Sequence, residues 1–251
     1  MVKKFPILRV TREEGKPDWA ACKSLCAMGL PMGLQYSITA IGSIVMQTAV
    51  NALGSTYVSA VATGGKIYQL LACPFDAMGA AMATYCGQNV GAGRLDRLPQ
   101  GVRSCSLLGL GYSVIAFAAM LLFAPQSAML FLSSSEPQLN LLMGLISRYI
   151  VCQTAFFFPL ALVNILRFSI QGMGFSTFAI LAGVLEMIAR TVVGYFFVPT
   201  LGFSAASPAA WICADLFLIP ACLGCIAHLK RSNPIASLET LSRRIMGQAK
   251  A

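Results

Sequence analysis

From Cys105 to Ala124 the chain carries no charged residue. About 20 apolar residues are what one helix needs to cross the hydrocarbon core of a bilayer. Five further runs meet the same requirement: Leu25 to Leu53, Tyr57 to Asn89, Leu139 to Phe168, Phe175 to Val198 and Pro208 to Leu229. Unpaired backbone cannot sit in lipid, so each run is expected to be a helix. The short alternating strands of a membrane barrel are absent from the pattern. Only 11% of the 251 residues are charged, against about 25% in an ordinary soluble domain. The chain therefore reads as an all-α membrane protein with six transmembrane helices. A transmembrane unit of residues 24–230 is expected, after a polar, linker-like segment 1–23 and before a basic tail 231–251. Residues 1–23 lack the apolar stretch of a cleavable signal.

Turn residues punctuate the runs. Gly54-Ser55 closes the first, and Gly91-Ala92-Gly93 ends the second, since glycine readily closes a helix C-terminus. Pro125 is expected to follow the third run and Pro137 to precede the fourth. Gly172-Met173-Gly174 separates the fourth from the fifth, and Pro199 with Gly202 separates the fifth from the sixth.

The net charge of +9 would suggest nucleic acid in a soluble protein. Its placement gives a different account. Lys3, Lys4, Arg9, Arg12, Lys16 and Lys23 precede the first run. Arg94, Arg97 and Arg103 follow the second, Arg167 ends the fourth, and Lys230, Arg231, Arg243, Arg244 and Lys250 follow the sixth. The alternate loops near residues 54–56, 125–138 and 199–207 hold no Lys or Arg. This is the positive-inside distribution. It predicts both termini in the cytoplasm and removes the argument for a nucleic-acid partner.

Charges inside the runs are costly and mark function or pairing. Lys66, Arg148, Arg190, Asp76, Glu186 and Asp215 are so placed. Glu186 and Arg190 stand one helical turn apart with the acid first, the favourable order for a pair. They read as a structural ion pair or as a gating contact. Lys66, Gln69, Cys73 and Asp76 share one face of the second run. Asp76 is a candidate cation or proton site, or a hydrogen-bond partner of a neighbouring helix. Gln153, Phe157, Asn164, Arg167 and Gln171 form a stripe on the fourth run, with Arg167 and Gln171 expected to meet headgroups. Gln35, Thr39 and Ser43 form another on the first, of the kind that also joins helices. Together the stripes point to a wet central face.

Cys73, Cys86, Cys105, Cys152, Cys213 and Cys222 lie well within apolar runs, where cysteine behaves as a small hydrophobe. Cys222 and Cys225 lack the second pair or nearby histidine that would complete a metal site, so no metal or other cofactor is expected. The sole histidine, His228, stands at the end of the last run. It is too far from any mid-membrane nucleophile for hydrolytic chemistry, and no enzymatic activity is expected.

Several stretches resemble a known family. They are Gly29-Leu30-Pro31, Asn51-Ala52-Leu53-Gly54, Pro74-Phe75-Asp76-Ala77-Met78-Gly79, Gly87-Gln88-Asn89-Val90-Gly91-Ala92-Gly93-Arg94 and Arg167-Phe168-Ser169-Ile170-Gln171-Gly172-Met173-Gly174. Glu186-Met187-Ile188-Ala189-Arg190 and Ser207-Pro208-Ala209-Ala210-Trp211 complete the series. In this order they resemble the multidrug and toxic compound extrusion (MATE) transporters, from about Lys16 to Lys230. That family has two six-helix lobes related by an axis along the membrane normal, a recurrent transporter design, and this chain resembles the second lobe alone. The resemblance implies efflux of small organic, mainly cationic, compounds in exchange for Na⁺ or H⁺. It implies the bacterial cytoplasmic membrane as location. As partner it implies a missing first lobe, or a second copy in a parallel homodimer. One branch of the family carries an acid where this chain has Thr39. Candidate substrate-binding or coupling residues are Gln35, Thr39, Gln69, Asp76, Gln153 and Asn164. A lipid-linked sugar flippase of the same superfamily and a truncated, non-transporting membrane module are the alternatives.

Overall fold

A computed structural model describes residues 18–132, 138–193, 204 and 206–232. The expectations for residues 1–17 and 233–251, and for the end of the fifth run, lie outside these. The helices are α1 (Trp19–Asn51), α2 (Ser55–Gly91), α3 (Arg97–Met129), α4 (Leu139–Ala155), α5 (Phe157–Gly172), α6 (Ser176–Val192) and α7 (Ala206–Ser232). No strand occurs among the described residues.

Two boundaries differ from the sequence reading. The fourth run, expected as one helix from Leu139 to Phe168, breaks at Phe156, and α4 and α5 meet at 50°. Pro159 accounts for the break. It has no N–H for the carbonyl of Ala155, and its ring collides with that carbonyl. Pro125, expected beyond the third helix, lies inside α3. Leu121, whose carbonyl Pro125 leaves without a donor, is on the exposed side of α3, so the helix runs on to Met129.

Among the described residues, fewer than six helices are spans by apolar composition alone. By length and apolar composition alone, α3 and α7 qualify as membrane spans, and the bent α4–α5 pair makes a third. The other helices fall short for local reasons. In α1 the glutamines Gln35 and Gln47 dilute the apolar run, and in α2 Lys66, Gln69 and Asp76 do so. The described part of α6 is only 17 residues long. These interior polar residues lower the hydropathy below that of a lipid-facing helix.

Helix α5 is the central post, in contact with α2, α3, α4, α6 and α7. Phe157, Ala161, Ile165, Ser169 and Ile170 are fully buried along it. Around its upper half, Phe75 packs edge-on against both Phe157 and Tyr112 with ring centres 5.2 Å apart. Leu108, Ile115 and Leu122 on α3 point outward and are 67–69% exposed, the surface expected against acyl chains. Helix α1 lies at the edge, mainly against α6. Here the backbones approach closely. A methyl group added at Gly183 would lie 3.3 Å from Gln35 Cγ, and one at Gly42 would lie 3.5 Å from Met187 Cα. In lipid, where apolar side chains gain nothing by leaving the solvent, such small-residue packing holds helices together.

Candidate functional site

The polar residues of the interior fall into three groups. The first is a buried charge cluster. Glu186 on α6 accepts two hydrogen bonds of 2.6 Å, from Arg167 Nη2 on α5 and from Arg190 Nη2 one turn along α6. The side chains of Arg167, Glu186 and Arg190 are only 7%, 4% and 13% exposed. Arg167 thus lies inside the lobe, not among headgroups as its position near a helix end suggests. Its depth follows from the central place of α5. Asp215 on α7, also buried, is within electrostatic range of Arg167 and Glu186. One acid and two arginines from two helices therefore meet where the dielectric is low. Buried charges persist only when so paired. Asp215 is nearby but, among the described residues, in no ion pair, and its buried Oδ1 lacks a hydrogen-bond partner.

The second group is a cavity of about 200 Å³ between α1, α2, α4, α6 and α7. Ser43, Gln47, Tyr68, Tyr149, Gln153 and Arg190 line its polar part, and Met46, Val50 and Val61 its apolar part. Each side chain is positioned by its helix. Arg190 reaches across from α6 and donates from Nη1 to Ser43 Oγ at 3.2 Å. Gln153 is 2% exposed and donates from Nε2 to the carbonyl of Ser204 at 3.2 Å, while its Oε1 has no partner among the described residues. Tyr149 lies over Gly64 of α2, where a methyl group would come within 2.6 Å of the ring. Tyr68 stacks on Trp211 with ring centres 6.1 Å apart and 9° between planes. Arg190 is the one formal charge on the wall.

The third group is the face of α2 bearing Lys66, Gln69, Cys73 and Asp76. All four side chains are exposed, although they lie in the middle of a 37-residue helix. At 1.5 Å per residue, Lys66 and Asp76 are roughly 15 Å apart along it.

Of the candidate substrate-binding or coupling residues Gln153 alone lines the cavity, joined there by Ser43 of the first-run stripe and Arg190 of the ion pair. Gln35 is buried and accepts from Gln171 Nε2 at 2.6 Å, joining α1 to α5. Thr39 returns its hydroxyl to the Gln35 carbonyl at 3.1 Å, and Asn164 donates to the Leu160 carbonyl at 3.3 Å. Gln69 and Asp76 belong to the exposed face of α2. Sequence reasoning missed Gln47, Tyr68 and Tyr149 at the cavity. The signal for Gln47 was present, because it extends the Gln35, Thr39, Ser43 stripe by one turn. Tyr149 likewise stands one turn before Gln153.

Against this geometry the comparisons with known proteins can be read. The sequence model of the MatE family matches residues 31–206, more than half of the chain. The chain belongs to the MatE family. The curated relative is the probable multidrug resistance protein YpnP of Bacillus subtilis (strain 168). It is 28% identical over 82 residues, covering 33% of this chain and 18% of that one. Among solved structures, the crystal structure of MATE in the bent conformation superposes with a TM-score of 0.78 at 19% identity, covering 93% of this chain and 52% of that one. The crystal structure of MATE in complex with MaL6 gives 0.78 at 18% identity, with 92% and 52% covered. The fold is thus that of MATE transporters, and the protein is a multi-pass membrane protein. This chain spans about half the length of the solved MatE structures it resembles.

Proposed function

We propose that this MatE chain acts as one six-helix lobe of an efflux transporter that exports small organic, mainly cationic, compounds in exchange for Na⁺ or H⁺. The observation that carries the reading is the exposed Lys66–Gln69–Cys73–Asp76 face. A polar stripe at membrane depth cannot face acyl chains, so it faces water or protein. A second lobe laid against α2 would enclose it as the wall of a central cavity. The family's two-lobe design and the half-length match support this arrangement. The second lobe would be a separate chain or a second copy in parallel orientation, both with cytoplasmic termini in the bacterial plasma membrane.

In this scheme Asp76 is the coupling group. Its carboxylate holds the inward-moving cation in one state and the organic cation in the other. Exchange requires that difference in affinity between the two states. Gln69 adds an uncharged polar contact on the same face, and Cys73 offers a polarisable one.

The test is ethidium efflux from cells that express the chain, alone and with a candidate second lobe, as wild type and as Asp76→Asn. Efflux that falls to background in the variant supports the coupling role, and efflux that survives it refutes that role. Crosslinking in native membranes that traps monomer alone would remove pairing with a second copy.

A further inference from the structure

We infer that the cavity between α1, α2, α4, α6 and α7 is an anion site that takes a small organic carboxylate on Arg190. The inference is independent of the transport reading above, which places cations on a different, exposed face of α2.

The wall decides the sign of the ligand. Its one formal charge is the guanidinium of Arg190, and no carboxylate is among the lining residues. Glu186 stands behind Arg190, held at 2.6 Å by Nη2 of both arginines. Asp215 is in range of Arg167 and Glu186, further inside. Asp76 is within electrostatic range of Tyr68, but its side chain is on the exposed face of α2. Glu186 is also within electrostatic range of Tyr68, but both its oxygens are held by the arginines. A cation entering the cavity would therefore meet the Arg190 guanidinium first, a like charge at contact distance.

The donors decide its shape. Arg190 Nη2 is occupied by Glu186, whereas among the described residues Nη1 holds only Ser43 Oγ at 3.2 Å. A bond of that length to an uncharged hydroxyl is readily exchanged for a shorter one in which both donor and acceptor are ionised. The guanidinium plane is suited to that partner. The hydroxyl of Tyr68 supplies a further donor on the same wall, while the Ser43 hydroxyl is already given to the Thr39 carbonyl at 3.1 Å. Met46, Val50 and Val61 give the ligand's carbon chain an apolar surface. The volume of about 200 Å³ is below the roughly 300–1,000 Å³ of sites for drug-sized molecules. It fits an acid of a few carbons.

The experiment uses the full chain in detergent with butyrate as probe, at constant sodium and ionic strength. Trp211 stacks on the cavity residue Tyr68, and the chain's other tryptophan, Trp19, is 80% exposed at the start of α1. In a Trp19→Phe background the emission therefore reports on the cavity. A saturable change with sodium butyrate, and none with tetramethylammonium, is expected. Arg190→Gln should weaken butyrate binding by about tenfold or more, the loss expected for one charge-assisted hydrogen bond. Gln47→Glu should do the same by placing a carboxylate on the wall. It leaves the charge cluster intact, because the Gln47 amide bonds only Asn51, so it serves as test should Arg190→Gln fold poorly. A saturable response to tetramethylammonium, no saturable response to butyrate, or unchanged butyrate affinity in Gln47→Glu would overturn the assignment.

Discussion

Replacing Glu186 by glutamine removes the acid that two arginines share. At a charge separation of about 4 Å and an effective dielectric of about 20, each pair contributes roughly 4 kcal/mol of attraction before desolvation is counted. The measured cost of deleting one partner from a buried pair is about 3–5 kcal/mol. Because Arg167 and Arg190 are only 7% and 13% exposed at the side chain, water cannot replace the lost carboxylate. Glu186→Gln is therefore expected to destabilise the lobe by about 3–5 kcal/mol. Arg190→Gln leaves Glu186 bound to Arg167, and about 2 kcal/mol is expected from the loss of one charged hydrogen bond. The assay is unfolding in mixed micelles on titration with sodium dodecyl sulfate, followed by tryptophan emission and circular dichroism. Glu186→Gln within about 1 kcal/mol of wild type, a change typical of a surface site, would refute the claim that one carboxylate holds both arginines. So would a larger loss for Arg190→Gln than for Glu186→Gln.

Other expectations follow from the packing. Gly64→Val should push the Tyr149 ring out of place and cost about 1–3 kcal/mol by overpacking, read in the same titration. With single cysteines, a charged maleimide should label Cys73 on the polar face of α2 much faster than Cys213 on α7. Both are exposed, but a charged reagent enters water and not acyl chains, and equal rates would show that the α2 face is not wet. Gln153→Leu should cost about 1 kcal/mol by removing the bond to the Ser204 carbonyl, with helix content unchanged by circular dichroism.

The sequence revealed the helices more readily than their partnerships. A run such as Cys105–Ala124 leaves no choice but a helix in lipid, and α3 follows. Pro159 held the information for the break at Phe156, but an uninterrupted apolar composition across it hid the consequence. Glu186 and Arg190 were visible as neighbours because they are one turn apart on one helix. Arg167 joins them from α5, nineteen positions earlier, and no periodicity connects residues on different helices. The cavity was obscure for a related reason. Its wall takes one or two residues from each of several helices, and Tyr68 and Tyr149 look like ordinary interfacial aromatics until the helices are packed. The α2 face, by contrast, needed only the spacing of Lys66, Gln69, Cys73 and Asp76.

The break at Phe156 has a bearing on how the protein is made. Helix α4 has 17 residues and α5 has 16, so each rises about 25 Å, and they meet at an angle with backbone carbonyls left without helical donors. A segment of this kind cannot wait alone in lipid, where every unpaired carbonyl is costly. During biogenesis residues 139–172 must pass from the insertion machinery straight into the company of α2 and α3, the neighbours that precede them in synthesis. The bent helix is thus the step that commits the nascent lobe to its tertiary arrangement, and the helices that follow it assemble on a post already in place.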